Sequence, residues 1–139
     1  MPNTDMQLIP YLHFAGNCEA ALNAYRQVFN GEIEQLNRYD SAPMPVPEDH
    51  KQQVLHAQFR FGNNRFMACD VFPGQEPGEG NNVTLSIGLT DEAAAKKVFG
   101  QLAEGGQVTM PLEKQFWGAL FGQLTDRFGV RWMVNCTQE

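Results

Sequence analysis

Three shortages narrow what this chain of 139 residues can do: few cysteines, few basic side chains and no long apolar run. Cys18, Cys69 and Cys136 are odd in number and show neither a CxxC pair nor Cys/His ligand spacing, which argues against a disulfide framework or a structural zinc. Reduced core thiols in a reducing compartment are expected instead. The 10 lysines and arginines are scattered and outnumbered, leaving a net charge of −6. Nucleic acid is excluded as a partner, because phosphate binding needs clustered cations; the acidity serves solubility. No stretch approaches the ~20 apolar residues of a membrane span. The opening MPNTDMQLIP lacks a basic region followed by an apolar core. A cytoplasmic location and no membrane partner are the expectations.

What is present is a repeat. Tyr11 to Ile33 and Leu85 to Val108 both read as strand, cap, amphipathic helix, glycine stop, strand. Sliding Glu19 onto Glu92 brings Leu22 to Ala95, Tyr25 to Val98 and Phe29 to Leu102. The buried stripes of the two helices coincide. At this length the chain is expected to be one domain, residues 1–139, made of a module at about 8–74 and another at about 82–137.

In the first module Leu8 to Phe14 reads as a strand and Asn17 as a helix cap. Cys18, Ala21, Leu22, Tyr25, Val28 and Phe29 recur at helical spacing until Asn30-Gly31 supplies a left-handed stop. Glu32 to Tyr39 is a strand. Asp40 to Lys51, with Pro43, Pro45 and Pro47, is a surface loop, read either as a lid or as a plain connection. Val54 to Phe61 alternates, with Leu55, Ala57, Phe59 and Phe61 on one face and His56, Gln58 and Arg60 on the other. The strand Arg65 to Val71 returns from the turn Gly62-Asn63-Asn64. If all three turn residues stay in the loop, Phe61 opposes Arg65 and His56 opposes Asp70. A two-residue turn would set Asp70 among Ala57, Phe59 and Phe61, so hydrophobic matching favours the longer turn.

Gln75 to Asn82 is the hinge. In the second module Val83 to Leu89 is a strand and Thr90 caps a helix with the stripe Ala95, Val98, Phe99, Leu102, stopped by Gly105-Gly106. Gln107 to Leu112, roughly Trp117 to Thr125, and Val130 to Cys136 are strands, the last two joined by the turn Asp126 to Gly129. The order is βαβββ twice. The expected class is α+β, two βαβββ modules curled into a half-barrel with both helices on the outer face.

The opening PYLHFAGNCEAALNAY, the central LHAQFRFGNNRFMACD and the closing FWGALFGQLTDRFGVRWMVNC resemble the PhnB-like branch of the vicinal oxygen chelate superfamily, from about Ile9 to Cys136. That superfamily includes glyoxalase I, bleomycin and fosfomycin resistance proteins and extradiol dioxygenases, and this branch often carries a demethylubiquinone methyltransferase-like label. The resemblance implies a glyoxalase-like fold and, in the usual enzymes, one divalent metal held from the first and last strands of each module. Those positions fall near Pro10, Asp70, Thr84 and Met133. Only Asp70 is a conventional ligand, and one carboxylate does not hold a mononuclear site. His13 alternates with Tyr11 and Ile9, away from Pro10. No resident metal is therefore expected. Neither half shows a glycine-rich strand-to-helix loop that would cradle a nucleotide-like methyl donor.

The best remaining constellation is His56 facing Asp70, as candidate catalytic residues, with Gln58 and Arg60 on the same face as ligand contacts. A carboxylate beside an imidazole raises its pKa and fixes its tautomer. The same pair also reads as a structural hydrogen bond. Glu113, Phe116 and Trp117 are candidate ligand contacts in the second module: the aromatics for stacking, Glu113 as a third donor if a metal site were rearranged around His56 and Asp70. Trp132 reads as core. Three functions stay open: a metal-free protein binding a small molecule in an aromatic cup, a glyoxalase- or dioxygenase-type enzyme using His56 and Asp70 with one divalent metal, and a dimeric scaffold with a vestigial pocket. A homodimer is expected from the relatives and from sheet edges that need covering.

Overall fold

The computed structural model describes residues 7–72, 83–116 and 118–137; the predicted hinge Gln75 to Asn82 and Trp117 lie outside the described residues. The chain divides into two compact units, Met1–Gly78 and Glu79–Glu139.

The first unit runs β1 (Tyr11–Phe14), α1 (Cys18–Phe29), β2 (Glu32–Arg38), β3 (Val54–Phe61) and β4 (Asn64–Asp70). Its sheet has the order β1-β4-β3-β2, with β1 parallel to β4 and the other pairs antiparallel. The sheet is open, with β1 and β2 as its edges. The periodic stripe of α1 buries Cys18, Ala21, Leu22 and Tyr25, and these pack with Phe14, Val54, Ala57, Phe59, Phe66 and Ala68 into the core. Phe59 stacks on Phe66 at 5.0 Å and Phe29 on Phe61 at 4.5 Å.

The helix stop is divided between two residues. Asn30 takes the left-handed conformation, with φ 55°. Gly31 is needed for space, since a Cβ there would meet the Arg60 carbonyl oxygen at 2.7 Å. The loop between β2 and β3 is not featureless: it contains short 3-10 turns at Tyr39–Ser41 and Glu48–His50.

The second unit repeats the plan: β5 (Leu85–Leu89), α2 (Glu92–Ala103), β6 (Gln107–Lys114), β7 (Leu120–Thr125) and β8 (Arg131–Cys136), in the order β5-β8-β7-β6. Ala95, Phe99 and Leu102 pack with Leu124, Trp132, Val134 and Cys136 in its core. The cap of α2 is Asp91, whose carboxylate accepts from the Ala93 N–H at 3.2 Å, one residue beyond the expected Thr90. β6 extends two residues further than the sequence suggested and tolerates Pro111 because it is an edge strand interrupted by bulges. The α+β class, with each four-stranded sheet covered by one helix, matches the sequence reading.

Candidate functional site

One expectation about the hairpin is overturned. β3 and β4 pair Phe61 with Asn64, Arg60 with Arg65 and Ala57 with Ala68. The turn is therefore the two-residue one, Gly62-Asn63, with Gly62 at φ +57°, the sign that a glycine-first hairpin turn requires. Asp70 consequently does not face His56. It is buried on the helix side, where Oδ1 accepts from the Gly16 and Cys18 N–H groups at 2.8 and 2.9 Å and Oδ2 from the Val54 N–H at 2.9 Å. Hydrophobic matching failed here because a carboxylate with three backbone donors at a helix N-terminus is stable in the interior. Asp70 also replaces Asn17, whose side chain makes no capping bond.

The corrected register puts different residues together on the uncovered face. Reading across the strands, one row is His13, Cys69, His56 and Asn37, and the next is Tyr11, Met67, Gln58 and Gln35. The Tyr11 hydroxyl lies 3.0 Å from His56 Nδ1, and the Tyr11 ring stacks on His13 with centroids 5.0 Å apart. Cys69 Sγ sits 3.4 Å from His13 Nδ1. Gln35 donates to Asn37 at 2.8 Å. Burial, followed by the neighbouring Cys69, pushes the Tyr11 phenol up to about 12. Burial also pushes the Cys69 thiol up, against a lowering contact with Tyr11. At neutral pH both groups are protonated, so the cluster offers a phenol, a thiol and two imidazoles rather than fixed anions.

Of the residues singled out from sequence, His56, Gln58 and Arg60 share this face, and Asp70 does not. Glu113 lies in the second unit, on β6 opposite Phe121 of β7, and Phe116 beyond β6 is 96 % exposed. Tyr11, His13 and Cys69 were missed as site residues. The alternation of β1 already grouped Tyr11 with His13; what was misjudged was the β3 to β4 register, which decides which residues of β4, and through it of β1, share a face with His56.

The superfamily's divalent metal does not fit the residues present. At the four corresponding positions Asp70 has both oxygens engaged by backbone donors, and Pro10, Thr84 and Met133 supply no conventional ligand set. Among the described residues no three His, Cys, Asp or Glu side chains converge closely enough to hold a metal ion. A nucleotide-like methyl donor fits no better at the β1 to α1 loop, whose Gly16 and Cys18 N–H groups are committed to Asp70. No helix among the described residues is long and apolar enough to cross a membrane.

Comparison with known proteins follows the fold closely. A family model described as 3-demethylubiquinone-9 3-methyltransferase matches residues 6–135. Protein YjdN of Escherichia coli strain K12 is 29% identical over 145 residues, spanning 96% of this chain and 97% of that protein. Among solved structures, protein PA1353 from Pseudomonas aeruginosa is 40% identical with a TM-score of 0.88, covering 97% of this chain and 100% of its own. The putative 3-demethylubiquinone-9 3-methyltransferase, PhnB protein, from Bacillus cereus is 28% identical with a TM-score of 0.79, covering 95% and 100%. A glyoxalase family protein from Enterococcus faecalis, 15% identical with a TM-score of 0.62 over 95% of this chain and 98% of its own, shares the fold. With one family model spanning nearly its whole length, the chain belongs to the PhnB-like family described as 3-demethylubiquinone-9 3-methyltransferase, built on the glyoxalase-type fold.

Proposed function

We propose that the protein binds a small organic molecule on the uncovered face of its first sheet, through Tyr11, His13, His56 and Gln58, without a resident divalent metal. The observation that carries this reading is the Tyr11 to His56 contact with His13 stacked on the same phenol. Two imidazoles, a phenol and three side-chain amides occupy one face, and the sheet's own pairing uses none of them. Such a surface offers hydrogen bonds in both directions and an aromatic plane for a ring to lie on. Titration with aromatic fragments, followed through the His13 and His56 imidazole proton resonances, tests it. Saturable shifts at both rings are expected, with affinity falling about tenfold in Tyr11→Ala, the loss of roughly one hydrogen bond and its packing. A full fragment set that moves neither ring would favour a scaffold with a vestigial pocket.

The same contact favours a second reading, an enzyme in which Tyr11 and His56 exchange a proton with a bound carbonyl compound. Substrate turnover abolished by both His56→Gln and Tyr11→Phe, with ligand binding retained in each, would select it. Asp70 has no part in this version.

A further inference from the structure

We propose that the uncovered face of the first sheet ends in a carboxylate subsite at Arg65, so that the ligand taken there is a small organic monoacid with an apolar body; this deepens the ligand-binding reading and rests on it. Beyond the row containing Tyr11, Met67 and Gln58, the next row pairs Arg60 with Arg65. These two arginines border a groove of about 610 Å³ whose other walls include Leu8, Ile9, Gly62 and Asn63.

The two guanidinium groups differ in what they have left to give. Arg60 donates from Nε to Glu34 at 3.0 Å, from Nη1 to the Gly62 carbonyl at 3.2 Å and from Nη2 to Glu32. It is spent on the fold. Arg65 donates only from Nε, to the other Glu34 oxygen at 3.2 Å, and among the described residues its two Nη groups meet no acceptor. Glu34, gripped on one oxygen by each arginine, thus orients Arg65 and leaves the paired Nη end of its fork, the arrangement that receives a carboxylate through two parallel hydrogen bonds.

Charge and apolar surface sharpen the ligand class. Two arginines and two glutamates cancel locally, within a chain of net charge −6. A dianion such as a phosphate monoester is repelled by the glutamates about twice as strongly as a monoanion, whose weaker repulsion the two remaining donors can offset. Leu8, 99% exposed, and Ile9 form an apolar wall beside them. The Tyr11 row and the Arg65 row are two residues apart along the strands, roughly 7 Å. That spacing suits a ring over Tyr11 joined by a short chain to a carboxylate on Arg65.

The test compares 3-phenylpropanoate with its neutral amide, 3-phenylpropanamide, by titration of the wild-type chain and of Arg65→Gln and Arg65→Lys. The acid is expected to bind about tenfold tighter than the amide, with this ratio falling near one in Arg65→Gln and recovering only partly in Arg65→Lys, which restores the charge without the fork. Arg65 is more than half exposed, and an unchanged urea midpoint verifies that each variant is folded. Equal binding of acid and amide with shifted His13 and His56 resonances overturns the carboxylate subsite and leaves the ligand-binding reading standing. A preference for the acid that survives in Arg65→Gln overturns the assignment to Arg65. Silence of both imidazoles toward both compounds overturns the carboxylate subsite, and silence toward the full fragment set as well overturns the ligand-binding reading with it.

Discussion

Asp70 decides more of the first unit than any other single side chain. Its two oxygens gather N–H groups from the β1 to α1 loop, the first residue of α1 and the first residue of β3, while the Tyr39 hydroxyl donates to its own carbonyl at 2.8 Å. Removing it strands buried donors. Asp70→Ala is expected to lower unfolding free energy by about 3 kcal/mol in urea titrations, with the His13 and His56 resonances of the still-folded fraction unmoved. A stability loss under 1 kcal/mol would contradict the structural role. Tyr11 gives a complementary pH signature. Its folded-state pKa, about 12, lies above the ordinary phenol value of 10.0, so the neutral form is favoured by folding. The stability it contributes is complete below pH 10 and is lost as pH rises toward 12. In a spectrophotometric titration, the difference between wild type and Tyr11→Phe is expected to be one phenol ionising near 12.

Elements formed where local chemistry and packing agreed. The stripe of α1, the alternation of β3 and the span Val54–Phe61 were all legible, because period and burial point the same way along a single segment. The hairpin register was not. It depends on whether a buried carboxylate finds donors, and those donors come from residues 16, 18 and 54, more than a dozen positions from Asp70. A shift of one residue exchanges the faces of a strand, which is why one misplaced turn residue replaced Cys69 by Asp70 beside His56. At the end of α1 the left-handed residue is Asn30 rather than the neighbouring glycine. Asn30→Ala is expected to cost about 1 kcal/mol by thermal unfolding, since alanine pays the steric penalty of that conformation without asparagine's local hydrogen bonding. Asn30→Gly should be neutral or slightly stabilising.

At the scale of the whole molecule the two units share a sheet order and part of their uncovered faces. Gln58, Met67 and Arg65 in the first sheet have counterparts in Gln123, Met133 and Arg131, related by the same pairings: Gln with Met, and Arg one rung away. The other rows diverged: His13, Cys69 and His56 correspond to Gly88, Asn135 and Phe121. Among the described residues the cluster of phenol, thiol and imidazoles is therefore a feature of the first unit and is not repeated at the matching positions of the second. Because the carboxylate at the superfamily's metal position is consumed by backbone donors, protein purified without chelator is expected to carry well below one equivalent of zinc, nickel, manganese or iron. Chelator should also leave its thermal midpoint unchanged. Stoichiometric metal by elemental analysis would reverse that conclusion.

The sequence by itself determined the duplicated βαβββ order, the helix faces and the family resemblance, since each is written in short-range periodicity that neighbouring residues enforce on one another. Only the tertiary structure decided the β3 to β4 register, where Asp70 goes, and that Tyr11, His13, Cys69 and His56 meet. Those outcomes depend on hydrogen-bond donors and pairings contributed by segments far apart in the chain, and a buried charge reveals its partners only when the backbone has brought them to it.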